Sequence, residues 1–246
     1  MRGLSNKVIV VTGGNGLLGR SMVGRLLDEG SRVINVDIDH ETDLASGKFK
    51  ADLTQDSGVD ELVSSVVKAY GRIDGLVNNA YPRTKDWGNK WEDIVADSWR
   101  KNVDMQLNSV FYITQVVGKQ MKLQGSGSIV NIASIYGVVG NDFTVYDGTG
   151  MTSPAAYAAI KGGVINLTRY LASYMGRDGV RVNCVSPGGI FNHQHEVFVS
   201  NYQKKVPMGR MGIPDDISPS VAFLLSEDSG YISGQNLIVD GGWTAI

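Results

Sequence analysis

The chain has 246 residues, of which 42% are hydrophobic, and its formal net charge at pH 7 is -2. This length and apolar content predict one domain over residues 1–246, with a hydrophobic core of its own. The balanced charge excludes a basic surface for nucleic acid or anionic membrane, and no apolar run approaches the roughly 18 residues of a membrane span. No signal-peptide pattern precedes the first apolar run, so we expect a cytoplasmic protein without nucleic-acid or membrane partners.

Short apolar runs alternate with segments of helical periodicity along the whole chain. The runs predict strands at 7–11, 32–36, 73–77, 128–132, 180–185 and 236–239, and the periodic segments predict helices at 18–29, 59–69, 98–123, 155–175 and 215–226. Runs rich in Val and Ile suit strands that are buried on both faces. The pattern therefore predicts an α/β fold, a doubly wound parallel sheet with helices on both faces. The single cysteine, Cys184, lies in an apolar run and is expected to be buried and unpaired.

A glycine-rich turn at 12–19 follows the first predicted strand and leads into the first helix. Glycines permit a tight turn there, and they let backbone N–H groups and a helix N-terminus approach a pyrophosphate. The turn therefore predicts a dinucleotide site, with these residues as its candidates: Gly13, Asn15, Gly16, Leu17, Leu18 and Gly19.

Asp37 ends the second predicted strand, 18 positions after Gly19. A carboxylate at this place accepts hydrogen bonds from the adenosine ribose hydroxyls. It would repel the 2′-phosphate of NADP, and neither the turn nor residue 38 supplies an arginine to offset that charge. We therefore predict NAD as the preferred cofactor.

Tyr157 and Lys161 stand four positions apart in a predicted helix, so both side chains would lie on one face. One positive charge about 4 Å away, at an effective dielectric constant near 20, supplies about 4 kcal/mol, which would bring a tyrosine pKa from about 10 to near 7. The pair could thus make a general base. The spacing alone is weak evidence, because chance gives it about once in two such chains and Tyr81 with Lys85 repeats it. Pro82 predicts that the second pair lies in a loop.

Together these motifs resemble the short-chain dehydrogenase/reductase family over essentially the whole chain. The resemblance rests on residues 12–19, Asp52 with Leu53, 78–80, Ser134, Tyr157 with Lys161, 183–188 and 234–242. It implies a Rossmann-type sheet of about seven strands, NAD(P)-dependent interconversion of a secondary alcohol and a ketone, a small-molecule substrate, and a homotetramer or homodimer.

The resemblance also implies roles for individual residues. Tyr157 would exchange a proton with the substrate oxygen, Ser134 would hydrogen-bond that oxygen, and Lys161 would also bind the nicotinamide ribose. Further cofactor contacts, from the adenine to the carboxamide end, would come from Asp52, Leu53, Asn79, Ala80, Pro187, Gly188, Ile190 and Asn192.

Two departures from the family pattern affect the interpretation. Gln106 occupies the position of a helix asparagine that holds a water beside the catalytic lysine, and we hypothesise that proton relay continues through Gln106 as a fourth catalytic residue. The turn spaces its glycines as in the family's extended branch, because Gly16 precedes Leu17 at the usual middle glycine. A sugar-nucleotide epimerase or dehydratase is therefore one alternative, although 246 residues leave no room for that branch's larger substrate domain. A catalytically impaired cofactor-binding member is the other, favoured only by Gln106.

Two segments are expected at the mouth of the site. Ser134 precedes Tyr157 by 23 residues, more than the family's common spacing, and the surplus at 141–152 predicts an extra loop. It is either a surface excursion or a determinant of specificity. Residues 191–210 take the place of the family's substrate loop. The candidate substrate contacts are Tyr81, Arg83, Tyr146, Gly189 and His193.

This mixture of hydroxyls, amides, aromatic rings and one arginine suits a sugar or a sugar phosphate. The chain is also loosely similar to the family's oxidoreductases of surface-sugar and flagellin modification. His193 and His195 share no helix face with an acid pair, so no metal site is predicted. The apolar C-terminus, 238–246, would be buried either in an oligomer interface or on its own subunit.

Overall fold

Seven parallel strands form one sheet in the computed structural model, which describes all residues 1–246. The strands are β1 (Val8–Thr12), β2 (Arg32–Asp37), β3 (Lys48–Lys50), β4 (Gly75–Asn78), β5 (Gly127–Ile132), β6 (Val180–Pro187) and β7 (Asn236–Val239). Their spatial order is β3-β2-β1-β4-β5-β6-β7. The order reverses between β1 and β4, and such a reversal opens a crevice beyond the carboxyl ends of the strands.

Seven α-helices connect the strands. They are α1 (Leu17–Asp28), α2 (Asp56–Tyr70), α3 (Ala96–Val103), α4 (Ser109–Gln124), α5 (Ala155–Met175), α6 (Glu196–Gln203) and α7 (Pro214–Leu225), and a π-helical segment, Asp104–Asn108, joins α3 to α4. None of them combines the length and apolarity that a crossing of the membrane requires.

The two faces of the sheet carry separate hydrophobic cores. Val8 and Val10 of β1 pack on the face covered by α2, α4 and α5. Ile9 and Val11 point to the opposite face, which α1 and α7 cover. Because successive strand residues alternate between faces, both cores demand apolar residues and the strand is apolar at every position. The predicted doubly wound parallel sheet is confirmed.

Three elements differ from the sequence predictions. The edge strand β3 was not predicted, because it has only three residues and only Phe49, between two exposed lysines, is buried. Helix α6 lies inside the segment expected as a substrate loop. The helix predicted at 98–123 is interrupted by the π-helical segment, which the apolar periodicity does not reveal.

The extra loop at 141–152 is packed against α6. Val145 is fully buried, Asp142 forms an ion pair with Lys205 at 2.8 Å, and the Tyr146 and Phe198 rings lie 5.3 Å apart. The loop is therefore fixed to the subunit through Val145 and Tyr146, although residues such as Phe143 and Met151 remain exposed.

The C-terminus packs in part on its own subunit. The Trp243 ring is 8% exposed and stacks on Tyr202 of α6, with ring centroids 4.4 Å apart, whereas Ile246 is 90% exposed. Packing within the subunit accounts for the buried part of this apolar segment.

Candidate active site

The glycine-rich turn brings α1 close to β1. Gly13 has φ +63°, in the left-handed region, and a Cβ there would lie 2.8 Å from the Ala80 Cα. A Cβ on Gly19 would lie 2.1 Å from the Gly13 carbonyl oxygen. The first turn of α1 has no acidic residue and Gly16 provides no side-chain cap, so the amides of the helix N-terminus are available to an anionic group.

Residues after β4 are bonded directly to this turn. The Thr12 hydroxyl accepts hydrogen bonds from the Asn79 and Ala80 amides at 2.9 and 3.0 Å. The Asn79 side chain donates in turn to the carbonyls of Thr12 and Gly13. These hydrogen bonds join the ends of β1 and β4, the two strands on either side of the order reversal.

Asp37 lies beside the turn at the end of β2. Its carboxylate accepts a hydrogen bond from the Asn15 amide at 3.0 Å, and Asn35 donates to the Asn15 side chain at 3.2 Å. Asp52, by contrast, is exposed, and its carboxylate accepts a hydrogen bond from the Thr54 amide at 2.9 Å. Leu53 packs against the core.

Ser134, Tyr157 and Lys161 come together between β5 and the start of α5. Ser134 is buried just after β5, and its hydroxyl accepts a hydrogen bond from the Tyr136 amide at 3.2 Å. The Lys161 ammonium donates to the Ile132 carbonyl at 2.7 Å and lies 5.6 Å from the centroid of the Tyr157 ring. The shared helix face that the sequence predicts therefore faces the end of β5.

The protonation equilibria of this pair differ from the sequence expectation. Burial raises the pKa of Tyr157 above its ordinary value of 10.0, and a hydrogen-bonding contact with the Ser134 hydroxyl opposes that rise. Burial also lowers the pKa of Lys161 from 10.5 to about 8. Burial thus opposes the expected effect of Lys161 on the phenol pKa, because it favours the neutral form of both groups.

We expect Lys161 to make the stability of the fold depend on pH between about 8 and 10.5. Its folded-state pKa is depressed, so in this window the unfolded chain binds more protons and stability rises with pH. A pKa lowered from 10.5 to about 8 corresponds to about 3 kcal/mol. The free energy of unfolding of the wild type should therefore rise by up to about 3 kcal/mol relative to Lys161→Met between pH 8 and 10.5. Urea unfolding of both proteins tests this, and a difference independent of pH would contradict it.

Gln106 lies in the π-helical segment and is 4% exposed. That segment packs on α5, the helix of Tyr157 and Lys161, since a Cβ on Gly163 of α5 would lie 3.1 Å from the Leu107 side chain. Both polar atoms of the Gln106 side chain are buried without a hydrogen-bond partner. π-Helical segments often occur at functional sites, and a buried unpaired amide requires a functional or structural explanation.

The other buried polar side-chain atoms without partners belong to Asn35, His40 and Asn78. Asn78 ends β4, and its amide donates to Thr114 and Asn131 in the interior. Asn35 donates to the Asn15 side chain and the His40 ring is 3.5 Å from it, so both of these residues lie beside the glycine-rich turn. Together with the open helix N-terminus they fit a polar, phosphate-bearing cofactor.

An aromatic cluster adjoins Tyr157 on one side. The Tyr81 and Trp87 rings lie 5.7 and 6.3 Å from the Tyr157 ring and 5.7 Å from each other, all at nearly perpendicular angles. The Arg83 guanidinium lies 5.4 Å from the Tyr81 centroid. Trp87 was not predicted from the sequence, because nothing in its local pattern points to the catalytic helix.

A buried asparagine fixes the loop that carries this cluster. Asn102 of α3 accepts a hydrogen bond from the Thr84 amide at 3.1 Å, and it donates to the Thr84 hydroxyl at 2.8 Å and to the Ser98 carbonyl at 2.9 Å. Asn102 was not predicted from the sequence. Its spacing of four from Gln106 was the available signal, because that spacing puts both amides on one inward face.

The predicted carboxamide end lies where β6 and β7 finish. Pro187 ends β6, and the Gly188 amide donates to the Val239 carbonyl at 2.9 Å. The Gly189 amide donates to the Tyr202 hydroxyl of α6, and Ile190 packs on the core shared by α1 and α7.

The residues after Ile190 are exposed. The Asn192 amide donates to Gln194, and His193 has φ +56° with its ring 5.2 Å from Phe191. His195 accepts a hydrogen bond from the Val197 amide and thereby caps α6. No three His, Cys, Asp or Glu side chains lie together in a way that could hold a metal ion.

Comparisons with known proteins agree with this geometry. The family model described as enoyl-(acyl carrier protein) reductase matches residues 16–244. The 7alpha-hydroxysteroid dehydrogenase of Bacteroides fragilis is 34% identical, over 99% of this chain and 96% of that protein. The post-translational flagellin modification protein A of Campylobacter coli is 30% identical, over 98% of this chain and 99% of that protein.

A solved structure shares the fold over the same length. A short chain dehydrogenase from Leptospira borgpetersenii, whose crystal structure contains bound NAD+, is 37% identical, with a TM-score of 0.89 over 98% of this chain and 93% of that one. Because the family match and these relatives cover nearly every residue, the chain belongs to the short-chain dehydrogenase/reductase family.

Proposed function

We propose that this protein is an NAD-dependent oxidoreductase that interconverts a secondary alcohol and a ketone. The observation that carries the proposal is the convergence of Ser134, Tyr157 and Lys161 beside the crevice that the glycine-rich turn borders. When bound, NAD supplies the hydride acceptor for oxidation, and its reduced form supplies the hydride for reduction. A screen of alcohols and ketones that follows the absorbance of the reduced nicotinamide, with NAD and NADP in parallel, tests the proposal.

Tyr157 holds and moves the proton of the reaction. In oxidation its phenolate takes the proton of the substrate hydroxyl, and in reduction the phenol returns it. Since burial raises the Tyr157 pKa, its ionised form depends on hydrogen bonds and charges that act on the oxygen. Ser134 provides one such hydrogen bond and would stabilise charge that develops on the substrate oxygen. Lys161 provides the positive charge below its pKa of about 8.

We propose Gln106 as the residue that links this pair to water. Its amide is buried, unpaired and placed in the segment that packs on α5. An amide can donate and accept at once, so it could hold a water molecule that exchanges protons with Lys161.

Asp37 supports a preference for NAD over NADP. Its carboxylate is fixed beside the turn by the Asn15 amide, where it would accept bonds from ribose hydroxyls and repel a 2′-phosphate. The NAD+ bound in the Leptospira borgpetersenii relative agrees with this assignment.

We expect Asp37→Asn to reduce the ratio of kcat/KM for NAD to kcat/KM for NADP by at least about tenfold, the equivalent of about 1.4 kcal/mol. The amide keeps the size of the side chain but removes the charge that repels the 2′-phosphate. Asp39→Asn is the matched control, since Asp39 is an exposed carboxylate two residues further along the chain, in the turn after β2. Steady-state kinetics with both cofactors measure the ratio. An unchanged ratio in Asp37→Asn would remove Asp37 from cofactor selection.

The substrate that we propose is polar, of the sugar or sugar-phosphate kind. The hydroxyls of Tyr136 and Tyr146, the exposed Arg83 and the Tyr81 ring support this choice. The relative named for flagellin modification also agrees with it, whereas the relative named for a hydroxysteroid indicates the competing class. Activity on sterols or acyl thioesters with none on sugars would overturn the proposal.

We also propose a homotetramer or homodimer. Large apolar side chains are exposed along α3 and α4, at Trp99, Phe111 and Leu123. An isologous contact between copies would bury them. Sedimentation velocity tests this proposal, and a monomer at micromolar concentration would contradict it.

A further inference from the structure

The extra loop adds a group of hydroxyls beside the catalytic pair. The Tyr146 hydroxyl lies near the hydroxyls of Ser153 and Tyr136, both of which act on its pKa. The buried Ser153 hydroxyl also accepts a hydrogen bond from the Asn141 amide. We call these four residues, Asn141, Tyr136, Tyr146 and Ser153, the hydroxyl cluster.

The hydroxyl cluster is attached to the catalytic residues at both ends. The Tyr136 amide donates to the Ser134 hydroxyl at 3.2 Å. Ser153 lies four residues before Tyr157, at the start of α5. Tyr146 is close enough to Tyr157 to act electrostatically on its phenol. The cluster therefore borders the place where the substrate oxygen must meet Ser134 and Tyr157.

Tyr146 is held in position by α6. The Tyr146 ring packs on Phe198 at 5.3 Å, and the preceding Val145 is fully buried. The Asn201 side chain donates to the carbonyls of Val145 and Asp147, at 3.4 and 3.1 Å. Since the tertiary structure already fixes this phenol, little conformational entropy would be lost when it binds a ligand.

Two different surfaces thus adjoin Tyr157. One is the pair of rings, Tyr81 and Trp87, which offers an apolar face. The other is the hydroxyl cluster. A ligand that satisfies both has an apolar ring face and more than one hydroxyl, which describes a cyclic polyol better than a sterol or an acyl chain.

Resting on the proposed function, we propose that Tyr146 is a specificity-determining residue that hydrogen-bonds a second hydroxyl, on the carbon next to the one oxidised. The substrate class is then a cyclic vicinal diol, which includes pyranose sugars. A site built to hydrogen-bond a substrate hydroxyl rejects the analogue that lacks it, because its buried polar groups are left unpaired.

Matched substrate pairs test this proposal. The pairs are cis-1,2-cyclohexanediol with cyclohexanol, and methyl glucopyranoside with methyl 2-deoxyglucopyranoside. The members of each pair differ only in one hydroxyl that neighbours a secondary alcohol carbon. The measured quantity is the ratio of kcat/KM between the members of each pair, for the wild type, Tyr146→Phe and the control Tyr231→Phe. Tyr231 is fully exposed. A ratio does not depend on the fraction of enzyme that is folded.

In at least one pair the wild type should favour the member with the adjacent hydroxyl by about 10- to 100-fold. Tyr146→Phe should lower that preference at least tenfold, and Tyr231→Phe should leave it unchanged. An equal ratio in the wild type and Tyr146→Phe would overturn the role of Tyr146 and leave the proposed function intact. Inactivity on all four compounds and the matching ketones, when the screen finds activity on other alcohols, would overturn the cyclic diol class and leave the oxidoreductase function intact. Inactivity across the whole screen would overturn both.

Discussion

Tyr157→Phe should lower kcat by about 10²- to 10⁴-fold, because it removes the only proton that the reaction can exchange at that position. The ring itself should stay in place, since Tyr81 and Trp87 pack against it through edge-to-face contacts that do not involve the hydroxyl. Binding of NADH should therefore change by less than about threefold. Steady-state turnover and fluorescence titration with NADH measure the two quantities.

Tyr170→Phe is the matched control for that experiment. Tyr170 lies on the same helix but is 60% exposed, and its hydroxyl faces no part of the predicted site. This variant should keep wild-type turnover. Retention of more than about a tenth of wild-type kcat in Tyr157→Phe would remove Tyr157 from proton transfer.

Gln106→Ala should lower kcat by about 10²-fold without a comparable loss of stability. The Gln106 amide has no protein hydrogen bond to lose, so the loss of stability should be limited to the packing of its methylene groups. A purely structural role predicts the opposite pattern, a loss of stability with activity retained per folded molecule.

Gln106→Asn separates the amide from the length of the side chain. Asparagine keeps the donor and the acceptor, so this variant should retain most of the wild-type turnover. Kinetics and thermal unfolding of both variants provide the comparison. Full turnover in Gln106→Ala would contradict the proposed proton relay through Gln106.

The framework of the site could be predicted from the sequence because it depends on local spacing. The four-residue interval between Tyr157 and Lys161 fixes their shared helix face, and the turn after β1 needs glycine at Gly13 and Gly19 whatever the rest of the chain does. Apolar periodicity located the strands and helices, since each core-facing position demands an apolar residue.

The protonation state of Tyr157 could not be predicted in the same way. It depends on how completely Tyr81 and Trp87, on a loop about 70 residues earlier in the chain, exclude water from the phenol. The attraction of Lys161 follows from the four-residue spacing, whereas the burial of both groups depends on distant parts of the chain. The π-helical segment at Gln106 could not be predicted for another reason. One extra residue in a helical turn barely changes the apolar pattern of the sequence.

The packing of the extra loop on α6 could not be predicted from the sequence either. The sequence predicts 141–152 at the mouth of the site, because the loop lies between the candidate catalytic residues Ser134 and Tyr157. Its contacts with α6, through Val145, Tyr146 and Phe198, join residues about 50 positions apart, and no local signal specifies such a pairing.

Transfer of deuterium from an alcohol to NAD tests most directly the claim that this protein transfers hydride between the two. The protein is incubated with NAD and a secondary alcohol that the screen identifies, labelled with deuterium on the carbon that bears the hydroxyl, and the dinucleotide is recovered for mass spectrometry. The structure predicts reduced dinucleotide that is heavier by one deuterium and accumulates in proportion to ketone, with Tyr157→Phe producing almost none. Turnover of the alcohol while the dinucleotide stays oxidised and unlabelled would contradict the account and favour an epimerase instead.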